Sequence, residues 1–286
     1  MNNPLRSIRW ADTDKDVIPW LEGNGPVGVF PLTSGLEAEV IGIDRNGSKF
    51  VLKIWNRDSK PHIQAQYKLL KILSGKGLAV SEPIGWGTDP DGHSALLTRY
   101  GGTPIRKLNR SKLLQLANML LDVHRLPLND LGEGTVRNFP FIGYFFPAID
   151  DHPDLRDQLA KLVDQADPQP TCLIHGDYNL GNVLEDGDRL AIIDWTNGQL
   201  GDPRYDIAWS VVLMRIYAGE RNGSVYRNAF LAGSPYSSEE LERFEAIACL
   251  RWLLLNRVAH LPKGKDTLGK VRKLLKENVH LDESLL

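Results

Sequence analysis

His175-Gly176-Asp177-Tyr178-Asn179-Leu180-Gly181-Asn182 follows directly on the apolar run Cys172-Leu173-Ile174. Twelve residues past Asn182 a second isolated acid, Asp194, closes Ile192-Ile193 and precedes Trp195. The pattern reads as strand, polar loop, hairpin and acid, with the hairpin turning at Glu185-Asp186-Gly187-Asp188. An antiparallel hairpin of this length brings its ends together. Asn182 and Asp194 are therefore expected side by side, with Asp177 close by on the preceding loop. Amide and carboxylate oxygens are hard ligands of the kind Mg²⁺ takes. A carboxylate outside the metal's shell can accept a proton from a hydroxyl. Phosphoryl transfer asks for this set, a metal for the polyphosphate and an acid to orient the attacking oxygen.

Outward from this stretch the chain divides in two. Before residue 100 it is strand-rich. Val27 to Pro31, Ala38 to Asp44 and Lys49 to Trp55 are short β-branched and apolar runs, and Asn46-Gly47 between the last two is a hairpin signal. Apolar residues at Ile63, Tyr67, Leu70 and Leu73 predict one helix from Pro61 to Leu73, with Pro61 in its first turn. Ile84 to Trp86 and Ala95 to Thr98 add two strands. Arg99-Tyr100-Gly101-Gly102-Thr103-Pro104 reads as a hinge, and helices follow at Ser111 to Arg125, Asp151 to Gln165, Tyr205 to Tyr217, a capping-box start at Ser237 running to about His260, and Lys265 to Val279. The expected class is α+β, with residues 1–98 as a small antiparallel sheet lobe, 99–104 as hinge and 105–286 as a larger, mainly helical lobe.

Composition removes several classes of function. The 286 residues are 42% hydrophobic with a net charge of -2, enough for a substantial core and without the basic excess that marks nucleic-acid binders. The two cysteines, Cys172 and Cys249, make neither a disulfide framework nor a zinc cluster and read as buried thiols. Met1 to Trp20 has no apolar signal core, and Leu250 to Leu261, interrupted by Arg251, Asn256, Arg257 and His260, is too short to span a membrane. The expectation is a soluble cytoplasmic protein with no nucleic-acid or membrane partner; its oligomeric state is open.

His175-Gly176-Asp177 through Asn182, then Ile193-Asp194-Trp195, then Gly201-Asp202-Pro203-Arg204-Tyr205-Asp206-Ile207-Ala208, resembles the catalytic core of the aminoglycoside phosphotransferase and choline kinase group of the protein-kinase-like fold. Three motifs in this order carry the resemblance, and Lys53 in Phe50-Val51-Leu52-Lys53-Ile54 extends it toward the amino terminus. The resemblance implies a two-lobe kinase-like fold, ATP or GTP with Mg²⁺ as cofactors, and a small-molecule hydroxyl acceptor, such as an antibiotic or an amino-alcohol or sugar metabolite. It makes Asp177 the catalytic base, Asn182 and Asp194 the Mg²⁺ ligands, and Lys53 the partner of the α- and β-phosphates. The backbone of Arg99, Tyr100 and Gly101 would take the adenine edge, and Asp202 and Asp206 would brace the loop. His175 is expected to orient, and His124 and the tryptophans, Trp209 among them, to belong to the core.

Three departures stand out. The family places a Glu opposite the strand Lys, where this chain has Gln66; a Lys53–Gln66 pair is expected instead. The phosphate-covering loop, Thr33 to Ala38, has a single glycine, Gly35, with Ser34 beside it as the second candidate contact. Asp194 and Asp206 are a dozen residues apart, leaving no room for a long activation loop, so a protein substrate is disfavoured. Gln66 and the thin loop also suit an alternative, a kinase-like protein that binds nucleotide without turnover.

Overall fold

The structure, a computed structural model, describes residues 3–14, 17, 21, 27–32, 38–56, 61–132, 134–259, 261–264 and 266–286. The chain forms two compact units, Met1–Pro104 with Leu184–Thr196, and Ile105–Val183 with Asn197–Leu286. Leu184–Thr196, which sequence order places among the helices, thus belongs with the first unit.

The first unit is built on a six-stranded antiparallel sheet. In chain order its strands are β1 (Arg9–Thr13), β2 (Gly28–Pro31), β3 (Glu39–Arg45), β4 (Ser48–Ile54), β5 (Pro83–Thr88) and β6 (Ser94–Arg99), arranged β1-β5-β6-β4-β3-β2. Asn46 and Gly47 join β3 to β4 with φ of 53° and 82°, the left-handed pair that a tight hairpin turn requires. Strand alternation sends Phe50, Leu52 and Ile54 into a core shared with Leu5, Ile43, Ile84 and Leu97, and leaves Lys53 half-buried on the other face. The expected helix, α1 (Ile63–Gly75), begins two residues later than its apolar spacing suggested: His62 caps it by accepting the Ala65 N–H at 3.2 Å, and Pro61 stays outside. Within the expected hinge, β7 (Thr103–Pro104) pairs with β9 (Val183–Asp186), which pairs in turn with β10 (Arg189–Ile192). Gly102, at φ 112°, cannot be replaced there, because a Cβ would fall 2.1 Å from the Glu185 carbonyl oxygen.

The second unit is helical. In chain order it holds α2 (Arg110–His124), α3 (Phe141–Phe145), α4 (Pro153–Ala166), α5 (Pro203–Leu213), α6 (Glu220–Gly233), α7 (Ser238–Val258) and α8 (Thr267–Glu277), with β8 (Cys172–Ile174) pairing β11 (Gln199–Gly201). Ten of the eleven α5 residues are buried, Asp206 and Ser210 among them, so this helix forms the centre of the unit against α7. Asp202 caps α5, accepting the Arg204 N–H at 2.9 Å, and Pro203 occupies the first turn, where no N–H is needed. Ser237 and Glu240 form the expected capping box of α7. His260 and Lys265, the expected ends of the last two helices, lie outside the described residues. Cys172 and Cys249 are free and buried, and burial pushes the Cys249 thiol up to about 12. Among the described residues no helix is long and apolar enough to cross a membrane.

Candidate active site

The loop after β8 is held by three helices of its own unit. Asp206 of α5 is fully buried and accepts the backbone N–H of His175 at 2.8 Å and of Gly176 at 2.9 Å. His124, at the end of α2, meets the same carboxylate at 3.0 Å. Burial opposes ionisation of Asp206, but the bonds from His124 and the loop N–H groups outweigh it and hold the carboxyl below its usual value. Arg251 of α7 donates to the Gly176 carbonyl and to the Tyr205 hydroxyl, both at 2.9 Å. Tyr178, buried, donates to the Leu116 carbonyl of α2 at 2.9 Å. Gly176 has φ 76°, and a Cβ there would lie 2.7 Å from the Asn197 carbonyl oxygen, so the loop's first bend requires glycine. Asp202 also reaches outward, accepting the Gln169 N–H at 2.9 Å and pairing with Arg204 at 2.7 Å.

These anchors present Asp177 half-buried at the loop's surface. Its N–H donates to His175 Nδ1 at 3.3 Å, which makes His175 a local orienter. Asp177 Oδ1 accepts the indole N–H of Trp209 at 2.8 Å. Asn182 Nδ2 donates to the Asp177 carbonyl at 2.8 Å and to Oδ2 at 3.2 Å. With its nitrogen turned to Asp177, Asn182 has its amide oxygen outside these two bonds. Asn179 clamps the same turn, donating to the Asp177 carbonyl at 2.9 Å and accepting the Gly181 N–H at 2.8 Å. Trp209 is thus more than the core residue expected of it. A sequence signal was available: it lies three residues after Asp206, on the same face of α5. Arg251 was likewise legible as a charge inside the apolar run Leu250–Leu255, where a buried partner is required.

In the first unit Lys53 Nζ meets Asp194 Oδ1 at 3.0 Å and lies 4.8 Å from the Trp55 ring centroid. Thr196 donates to the same Asp194 oxygen at 2.9 Å. Asp194 itself adopts φ 60°, a left-handed conformation rare outside glycine. The expected Lys53–Gln66 pair is not formed among the described residues: Gln66 is buried and its Oε1 has no hydrogen-bond partner. The reason is proximity of the stronger partner, since a carboxylate outcompetes a neutral amide for an ammonium. The backbone N–H of Arg99 is taken by the Glu82 carbonyl at 2.8 Å and that of Tyr100 by the Lys49 carbonyl at 3.0 Å. Neither N–H is therefore available to an adenine edge. Ser34 and Gly35 lie outside the described residues.

A cavity of about 430 Å³ opens beside Asp177 within the second unit. Its wall includes Trp209, Arg251 and Tyr217 together with apolar side chains of α2, α5 and α7 and of the segment Leu261–Pro262. Asp177 is part of the wall of this space.

The sequence was compared with known proteins. Residues 29–247 match the family model of the phosphotransferase enzyme family, which spans all three motifs and Lys53. No curated protein matches the sequence. Among solved structures the fold matches the amicoumacin kinase hAmiN in complex with AMP-PNP, Ca²⁺ and Ami (TM-score 0.66, 14% identity, covering 90% of this chain and 91% of that one). It also matches a thermostable mutant of aminoglycoside phosphotransferase APH(4)-Ia (TM-score 0.60, 19% identity, 91% and 98%). A third match is the choline kinase LicA from Streptococcus pneumoniae (TM-score 0.60, 16% identity, 87% and 92%). An antiparallel sheet unit and a helical unit, a loop acid framed by Asp206 and Arg251, and a family match over three quarters of the length lead to one conclusion: the chain belongs to the phosphotransferase enzyme family and is a small-molecule O-phosphotransferase.

Proposed function

We propose that the protein transfers the γ-phosphate of ATP or GTP, with Mg²⁺, to a hydroxyl of a small molecule, with Asp177 as the base that orients that hydroxyl. The observation that carries this reading is the held state of Asp177. Its carboxylate is fixed by Trp209 and Asn182, its carbonyl by Asn179 and Asn182, the Gly176 backbone before it by Asp206 and Arg251, and it lines a cavity large enough for a small organic acceptor. A fixed acid of this kind contributes by alignment and by accepting a proton, usually about 10²–10⁴ in rate.

Asn182 and Asp194, which frame the β9–β10 hairpin in the chain, would hold Mg²⁺. The donor set fits, because Asn182 is oriented with its oxygen free of Asp177 and Asp194 is a carboxylate, both hard oxygen ligands. When bound, the metal supplies charge neutralisation of the polyphosphate. Lys53, which pairs with Asp194, would meet phosphate oxygens, and the Gly101 backbone would meet the base of the nucleotide. The similar structures agree in kind: one carries AMP-PNP and Ca²⁺, another ADP and hygromycin B, a third GDP. In this reading each residue acts on bound groups by charge or position, and the phosphoryl group passes directly to the acceptor.

The test is nucleoside diphosphate release with Mg²⁺ across hydroxyl compounds, wild type beside Asp177→Asn. Acceptor-stimulated turnover that falls about 10²–10⁴-fold in the variant, with nucleotide affinity unchanged, is the expected result. Tight nucleotide binding with no Asp177-dependent transfer to any acceptor would instead make the protein a nucleotide-binding module.

A further inference from the structure

The wall of the Asp177 cavity carries one acid and one cation among the described residues, Asp177 and Arg251. Their charges offset one another, so the wall offers a charged acceptor no net counter-charge. Asp177 takes one donor on each oxygen and keeps its remaining lone pairs for the acceptor's hydroxyl. The Arg251 guanidinium donates to Gly176 and Tyr205 and lies over three aromatic rings, at 4.2 Å from the Trp209 centroid, 4.8 Å from Phe145 and 5.8 Å from Tyr205. The remaining polar groups of the wall are largely spent on one another. Ser210 and Tyr226 share a hydrogen bond at 2.8 Å, Tyr178 donates to Leu116, and the Tyr217 hydroxyl accepts from Trp252 at 3.2 Å. Leu116, Leu180, Met214, Leu255, Leu261 and Pro262 complete the lining.

The acids that a cationic acceptor would call for are engaged elsewhere. Asp154 pairs with Arg257 at 2.7 Å, Glu239 with Arg243 at 3.1 Å, and Glu240 with Arg204 at 3.4 Å while closing the α7 cap. Asp282 accepts the Ser284 N–H. These, and Asp150, Asp151 and Glu283, are all absent from the cavity lining. An ammonium group moved into such a cavity loses its water, and the Arg251 charge offsets the attraction of the Asp177 carboxylate. Nor does the wall make a cage for a quaternary ammonium. Such cages work through ring faces without a cation, and the face of Trp209 already carries the Arg251 guanidinium.

Resting on the proposed function, we infer that the acceptor is an uncharged hydroxyl compound with a broad apolar or aromatic surface, and not an ammonium-bearing sugar or amino-alcohol. Apolar contact with α5, α7 and the Leu261–Pro262 segment supplies its binding, and one hydroxyl is directed to Asp177.

Calorimetry on the full chain without nucleotide tests this apart from phosphoryl transfer. The probes are phenylpropanediol against its amino derivative, and an amine-free macrolactone polyol against kanamycin and choline. The neutral member of each comparison is expected to bind at least tenfold more tightly. In transfer assays its kcat/KM should lead by a similar factor. Leu255→Glu, which adds a carboxylate to the wall at a half-buried position, should reverse the preference by about tenfold while leaving nucleotide affinity unchanged. Leu261→Trp, which fills the cavity, should weaken the neutral probe and not the nucleotide. Kanamycin, choline or the amino derivative binding as well as the neutral compounds would overturn the inference and leave the phosphotransfer reading standing. Binding of neither kind would also overturn it. Nucleotide binding without Asp177-dependent transfer, beside a clear neutral preference in calorimetry, would remove the phosphotransfer reading alone.

Discussion

The loop His175–Asn182 in the second unit and the segment Asp194–Thr196 in the first each present an acid to the proposed chemistry, and they hold it by opposite means. The loop is fixed from behind. Buried Asp206 takes two of its N–H groups, Arg251 takes a carbonyl, and Tyr178 ties it to α2. Asp194 is held from the front, by Lys53 and Thr196, with a third of its side chain exposed. Its left-handed backbone costs about 1–2 kcal/mol, which the surrounding strands must offset. The difference teaches that the two acids belong to different parts of the energy balance. Where the support is buried, the geometry of the site and the stability of the unit are one quantity. Where it is an exposed ion pair, the site can be altered with little effect on folding.

This contrast can be broken or sharpened by substitution. The largest effect is expected at Asp206→Asn, which leaves a buried His124 and two loop N–H groups short of a full acceptor. Removing one partner of a buried pair costs about 3–5 kcal/mol, to be read as a lower denaturation midpoint in urea. The pH dependence follows in sign. The Asp206 carboxyl titrates below its unfolded value, so its contribution is complete above roughly pH 4 and is lost as the pH falls through the lower folded value. Wild type should therefore lose stability on acidification more steeply than the Asn variant, whose acid limb is flatter.

Lys53→Met should do the reverse of Asp206→Asn. Turnover is expected to fall about 10²-fold with the loss of a phosphate-neutralising charge. Stability should move by less than about 1 kcal/mol, because the Lys53–Asp194 pair is partly exposed. Equal destabilisation by the two substitutions would break the comparison. Trp209→Phe keeps most of the ring but deletes the N–H that fixes Asp177 Oδ1. It should lower kcat about tenfold with nucleotide affinity intact, whereas a purely structural tryptophan would show only a melting shift. The smallest effect is expected at Gln66→Leu. Its buried Oε1 has no partner to lose, so stability should stay within about 1 kcal/mol of wild type and nucleotide affinity should hold. A large loss of affinity there would return Gln66 to the nucleotide site.

Much of this was legible in the chain, and what was not has identifiable causes. The Asn46-Gly47 turn, the Ser237–Glu240 capping box and the apolar run of β4 are local signals, and each formed an element where it was read. α6 escaped notice because Gly223 and a run of polar residues break its pattern. In the fold Gly223 is required by close packing, since a Cβ there would lie 2.2 Å from Arg215 Cγ. β1 lies in a mixed polar stretch and gains its order from pairing with β5, a partner remote in sequence. The Lys53 partner was misjudged because spacing along a strand and a helix gives no distances: Gln66 is near in sequence, and Asp194, 141 residues away, makes the bond.

The sequence by itself determined which residues are the candidates for the chemistry and the order of the elements that carry them. Asp177, Asn182 and Asp194 stand at intervals set by a loop and a hairpin, and those intervals are fixed by covalent length and turn geometry. Tertiary structure alone decided what surrounds them. That Trp209 would hold Asp177, that Arg251 would be spent on Gly176 and the aromatic rings, and that the acids of the helical unit would be engaged away from the cavity all depend on which helix faces meet. Hydrogen bonds and ion pairs act over a few ångströms, so their partners are chosen by packing and not by distance along the chain.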